Sequence, residues 1–200
     1  MQILKEEVRH NIIRVALEEF EINGFQKTTM RNIACRANIT VGNLYRYFKN
    51  KDDLFDTIIK PAFQEIYHFI GEFATLSNNE RYRNDQEYNF IESLEKALIR
   101  IYDLHRAELV ILLTGSKGSH MENARKEIVE LIADRIKKEI LPNIEKDTKS
   151  NDAFLAEAFS VSFIEGASLV LGSSTNKART KELFVQFSRI YFKYFLEILK

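Results

Sequence analysis

Residues 25–54 read FQKTTMRNIACRANITVGNLYRYFKNKDDL, and this stretch decides the fold. Met30, Ile33, Ala34 and Ala37 recur at i, i+3, i+4 and i+7, the spacing of one face of a helix, with Thr28 or Thr29 placed to cap its first turn. Ala37-Asn38-Ile39 leaves room only for a turn, within which Ile39 must be buried for the turn to pack. Thr40 then caps a second helix, expected over residues 40–48, whose Val41, Leu44, Tyr45 and Phe48 again follow the helical period. Gly42, Asn43, Arg46 and Tyr47 fall on its other side. A short helix that offers small, amide, guanidinium and phenol groups outward has the shape and chemistry to enter a DNA major groove.

Charge patterning points the same way. Lys27, Arg31, Arg36, Arg46, Lys49 and Lys51 fall between Glu21 and Asp52 with no carboxylate among them, although 29 basic and 29 acidic residues leave the whole chain formally neutral. Through residue 60 the balance is ten basic to eight acidic, +2, which leaves −2 for the rest. Whole-chain charge therefore says nothing about nucleic acid; the local field does.

The run TTMRNIACRANITVGNLYRYFKNKDDLF resembles the DNA-binding segment of the TetR family of transcriptional regulators, through Thr29, Ile33-Ala34, Ala37, Gly42-Asn43-Leu44-Tyr45, Tyr47-Phe48, and Lys51 with the acidic residues and Leu54 that follow. The resemblance covers about the first third of the chain. It implies an all-α protein: a three-helix helix-turn-helix domain over residues 5–60 (motif about 29–48), then a helical-bundle domain for effector binding and dimerisation over 61–200. It implies a homodimer on double-stranded operator DNA, most often a repressor, released by a small molecule, whose aromatic, hydrophobic or cationic character is read from the aromatic and acidic residues of the bundle below. By position, Thr29, Arg31, Tyr47 and Lys51 are expected on phosphates, Val41, Gly42, Asn43 and Tyr45 near bases, and Arg46 on either, with Thr40 between them. Val41 departs from the family, where many members carry a polar side chain, and it favours a thymine methyl over a hydrogen-bonding edge.

Around this segment the chain reads as helices. Val8, Ile12, Ala16 and Phe20 step by four along a first helix over 5–23, ended by Gly24. A long helix from Lys51 runs through Leu54, Phe55, Ile58, Ile59, Phe63, Ile66, Phe69 and Ile70 toward Phe73, with Pro61 a site for a kink and the domain boundary near 61–66. Residues 75–86 read as a polar loop and 87–104 as a helix, with a break at His105. A turn falls at 115–119, a helix over 122–140 carries Ile128, Ile132, Ile136 and Ile140, and 143–151 is a charged connector. Two apolar helices close the chain, over 153–173 and 177–199. They can pack within the subunit or pair with their copies in a second one. Phe159, Phe163, Gly166, Phe184, Phe187, Tyr191 and Phe195 are the expected dimer residues.

Fifteen Phe and eight Tyr suit a bundle with an aromatic cavity. The candidate lining is Phe63, Tyr67, Tyr88, Tyr102, His105, Met121, Phe159 and Phe163, with Glu108 or Glu165 as counter-charge for a cation; each also reads as ordinary core. No catalytic set, cofactor motif or metal-ligand set is present, so an enzyme is not expected. Gly115-Ser116-Lys117-Gly118 lacks the glycine a phosphate loop needs five residues earlier, where Val110 stands. Cys35 is the single cysteine, which rules out an internal disulfide and fits a reducing compartment. The mixed-charge start and the absence of a long uninterrupted apolar run lead to a cytoplasmic expectation with no membrane partner. The rival reading is a helical carrier that binds a lipid-like molecule and no specific DNA site.

Overall fold

The computed structural model describes residues 2–77, 87–140, 152–173 and 176–198. Among these are eight α-helices and no strand: α1 Gln2–Lys27, α2 Met30–Arg36, α3 Val41–Leu44, α4 Lys51–Ser77, α5 Glu87–Val110, α6 Ala124–Arg135, α7 Asp152–Gly172 and α8 Lys177–Ile198. Two π-helical turns extend α5 and α6, at Ile111–Gly115 and Ile136–Ile140. The all-helical class and the order of elements agree with the periodicities. The loop expected at 75–86 is helical as far as Ser77, and its remainder and the 143–151 connector lie outside the described residues.

The chain forms two compact units, Met1–Gln64 with His105–Arg125, and Glu65–Leu104 with Lys126–Lys200. A cut at residue 60 assigns 105–125 to the second part; the fold joins it to the first. The change of unit coincides with the break expected in α5, where His105 leaves helical geometry (φ −136, ψ 29). Pro61, exposed, sits inside an α4 that runs on as one element.

In the first unit Ile12, Val15, Ala16 and Phe20 of α1 are buried, as are Ile33 and Ala34 of α2 and Leu54, Phe55 and Ile59 of α4. Phe20, Phe25 and Phe55 form an aromatic triangle with centroids 4.9–6.0 Å apart, both contacts to Phe55 being edge-on. Gly24 breaks α1 as expected, and the helix resumes for one turn to Lys27. Its backbone (φ 68, ψ 171) is one that only glycine adopts without strain. A Cβ there would lie 3.3 Å from the Gly115 carbonyl oxygen, so two glycines let α1 and the π-turn touch backbone to backbone. Arg106 pairs with Glu21 of α1, fastening the same segment.

The second unit is built on the seam between α7 and α8. Phe159 and Phe163 lie against Tyr191 and Phe192, and Phe163 stacks on Phe187 at 5.8 Å. Gly166 makes the approach possible, because a Cβ there would stand 2.4 Å from the Phe187 ring. Ala133, Ile136 and Ala156 make a smaller core beside it. Ala153–Gly172 also has the length and apolarity of a bilayer-crossing helix, although one of its faces is the α8 seam.

Gly24→Ala is expected to lower stability by about 1–3 kcal/mol, the usual cost of placing a side chain in a glycine-only conformation. A thermal melt followed by circular dichroism measures this; an unchanged midpoint would show that the α1 break tolerates a Cβ.

Candidate nucleic-acid interface

Threonine hydroxyls start both short helices. Thr29 Oγ1 accepts from Asn32 N at 3.2 Å and Thr40 Oγ1 from Asn43 N at 3.1 Å. That resolves the choice left open by the sequence, since Thr28 is fully buried and donates its hydroxyl to Gly24 O (2.8 Å) and Glu19 O (3.2 Å). Between the helices Asn38 takes the left-handed conformation (φ 56), which turns the chain. Ile39 is only half-buried there, so the turn closes on its backbone bonds, including Ile39 N to Ala34 O at 3.0 Å, more than on that side chain.

The recognition element is shorter than 40–48. Only Val41–Leu44 is α-helical, and the chain then tightens, with Arg46 N donating to Asn43 O (3.1 Å) and Tyr47 N to Leu44 O (3.0 Å). One turn of helix offers the core a single ridge, which Leu44 and Phe48 occupy. Val41 and Tyr45, grouped with them by periodicity, are instead 36% and 50% exposed. Gly42 and Arg46 share that outer surface, while Asn43 and Tyr47 are half-buried. A Cβ on Gly42 would meet nothing within 4 Å, so nothing inside the protein requires glycine at this position.

The six clustered cations divide by what they touch. Arg36 pairs with Glu19 (2.5 Å) and Glu18 (3.0 Å) of α1, and its hydrogen bond to Glu19, more than any other influence, raises its pKa. Lys51 donates to Phe25 O (2.7 Å) and Thr28 O (3.0 Å), with its ammonium 4.0 Å above the Phe25 ring centroid. Partial burial pulls its pKa below the ordinary lysine value, with Asp52 opposing. Two of the three Lys51 N–H donors are therefore held by the protein's own carbonyls, a scaffolding task beside the phosphate contact expected of it. Lys27, Arg31, Arg46 and Lys49 are exposed, and their side chains make no ion pair or hydrogen bond among the described residues. Arg9, which carries no signal in the sequence pattern, places its guanidinium 5.5 Å from the Phe48 ring centroid on the inner side of the same element.

The candidate ligand residues are divided between the two units. Phe63, His105, Glu108 and Met121 belong to the first unit, and Tyr67, Tyr102, Phe159, Phe163 and Glu165 to the second. The Tyr88 side chain, like that of Phe195, lies outside the described set. Tyr102 is buried, donates to Lys177 O at 2.9 Å and stacks with Phe184 at 5.8 Å. Phe159 and Phe163 are committed to the α7–α8 seam, whereas Tyr67 and Glu165 are exposed. Among the described residues no three His, Cys, Asp or Glu side chains group as metal ligands. Glu108 is partly desolvated, which raises its pKa above the ordinary 4.5; Glu21 adds to the rise, and its own backbone and His105 oppose it.

The dimer residues named from the sequence are buried or half-buried within the subunit, apart from Phe195, whose side chain lies outside the described set. Phe163 and Phe184 are buried, and Phe159, Gly166, Phe187 and Tyr191 join them within the subunit. The large apolar residues of α7 that are exposed are Phe154, Leu155, Val161 and Leu169, the first and last 73% and 79% exposed.

Residues 12–58 match the family of bacterial regulatory proteins described as the tetR family. The chain is 27% identical over 140 residues to the HTH-type transcriptional regulator YhgD of Bacillus subtilis, covering 70% of this chain and 68% of that protein. It is 37% identical over 60 residues to the "Probable acrEF/envCD operon repressor" of Escherichia coli K12, covering 29% of this chain and 27% of that one. In fold it is similar to a TetR family transcriptional regulator from Chloroflexus aurantiacus, with a TM-score of 0.61 at 18% identity over 97% of this chain and 92% of the other.

Lys51→Met is expected to destabilise the fold by about 1–3 kcal/mol, because two helix-end carbonyls lose a charged donor. Its midpoint in urea should fall, while an unchanged midpoint together with a flatter salt dependence of DNA binding would return Lys51 to the phosphates. Glu108 keeps its proton to a higher pH when folded than when unfolded, so its contribution is fully present below about pH 4.5 and is lost as pH rises through the folded value. Glu108→Gln should therefore raise the melting temperature at pH 7 and leave it nearly unchanged at pH 4. Equal effects at both values would assign the change to packing.

Proposed function

We propose that this chain is a transcriptional regulator of the TetR family, a dimeric, effector-released repressor whose two α3 elements enter successive major grooves of a twofold operator. The observation that carries the proposal is the outward surface of residues 41–46. It presents a valine, a glycine with open space beside it, a tyrosine and an unpaired arginine, next to further unpaired cations at Lys27, Arg31 and Lys49. Unpaired surface cations attract a polyanion, and outward groups on a capped turn reach base edges.

In this reading Arg31, Lys27 and Lys49 hold phosphates with Thr29 and Tyr47. Val41, Gly42, Asn43 and Tyr45 approach bases, Arg46 reaches either, and Lys51 keeps the scaffold rigid. The second subunit packs on the exposed apolar stripe of α7, which supplies a surface that Phe159 and Phe163 do not. Twofold operators need half-sites about 34–36 Å apart or a multiple of it, so a pair of subunits is required. The effector acts through α4 and α5, which with α6 are the helices whose residues are shared between the two units. By reciprocity, operator and effector must weaken each other by the same factor.

The test is binding of the full-length chain to duplex DNA from upstream of its own gene, by fluorescence anisotropy over a salt series. Wild type should bind that DNA in preference to a random duplex. Arg31→Ala and Lys49→Ala should each flatten the plot of log K against log salt, by about one unit for every phosphate left without its cation, and each substitution removes one cation from either subunit of the dimer. Slopes equal to wild type would remove these side chains from the phosphate set. No preference over random DNA would favour the carrier reading.

A further inference from the structure

We propose that Val41 reads the C5-methyl group of a thymine in each operator half-site, and so determines specificity at that base. The inference rests on the DNA-binding reading above and goes on to name the base chemistry it selects. Val41 opens α3 and is 36% exposed, with no packing role comparable to Leu44. The hydroxyl of the preceding Thr40 is turned back onto Asn43 N, so Val41 is the first outward group of the element. On its other side Gly42 leaves open space, which allows a base pair to come close to the backbone. Tyr45, one turn on and half exposed, continues an apolar strip from Val41.

An isopropyl group neither donates nor accepts a hydrogen bond. Set against the major-groove edge of adenine, guanine or cytosine, it would strip water from a polar atom and replace it with nothing. Set against thymine it meets a methyl group, the one apolar feature any base shows in that groove. Preference for thymine thus arises both from burying two apolar groups against each other and from the penalty imposed on the other three bases.

The experiment first enriches a binding site from a chemically synthesised pool of random duplexes, using the full chain. Such a pool contains no methylated cytosine, so any C5-methyl group in it belongs to thymine. Each thymine of the enriched site is then replaced by uracil, which lacks only that methyl, and the affinities of wild type and Val41→Ser are compared. One position per half-site should weaken wild type about fourfold, the worth of one buried methyl group, and about fifteenfold when both half-sites carry uracil. Val41→Ser should bind the thymine and uracil sites alike. If no uracil weakens wild type, or if Val41→Ser keeps the full uracil penalty, the assignment to Val41 is overturned while DNA binding stands. If the pool yields no enriched site, the DNA-binding reading itself fails. The uracil measurement on wild type does not depend on the variant folding, and Val41 is exposed enough for the serine chain to keep its melt.

Discussion

A lysine ammonium on two carbonyls holds the helix-turn-helix together. The end of a helix leaves carbonyl groups without partners and a partial negative charge, and α1 ends within a few residues of the start of α2. Lys51, from the first turn of α4, fills that junction by donating to Phe25 O and Thr28 O while its charge rests over the Phe25 ring. Three elements are thereby fixed by one side chain. Beneath it the Phe20–Phe25–Phe55 triangle supplies the apolar floor, and Asn11 ties α1 to the end of α2 through Ala37 O at 3.1 Å.

With the scaffold held, the remaining charges separate into two kinds. Arg36 and Lys51 are engaged within the protein, on carboxylates and on carbonyls. Arg31, Arg46, Lys27 and Lys49 face water with no internal partner among the described residues. Residue type does not distinguish these roles; position relative to α1 does. Arg36 lies over the Glu18–Glu19 pair, whereas Arg31 points elsewhere from the same short helix. A neutral chain can thus carry a cationic footprint, because part of what a charge count registers is cancelled locally.

The helix-turn-helix was legible because its determinants are local: two threonine caps, two short apolar stripes and a glycine stop all lie within a few residues of what they control. The break at His105 was legible for the same reason. What the sequence did not disclose depends on distant partners. Lys51 meets Phe25 across 26 positions and Arg106 meets Glu21 across 85, and it is contacts of this kind that bring residues 105–125 into the first unit. The limit at α7 was different. That helix is apolar nearly all round, so periodicity could not say which side serves the α8 seam, with Phe159 and Phe163, and which is left bare, with Phe154 and Leu169. In α3 the element was too short for a helical stripe to mean burial, and Val41 and Tyr45 faced out as a result.

The four outward residues of α3 and the turn after it have almost no obligations to the interior. Leu44 and Phe48 anchor the element, and a side chain added at Gly42 would meet only open space. Selection can therefore rewrite Val41, Gly42, Tyr45 and Arg46 with little damage to folding, since substitutions away from buried features usually leave stability near its starting value. On the DNA-binding reading proposed above, duplicated copies of such a gene could drift to new target promoters by changes at these few codons, without first acquiring a stabilising background.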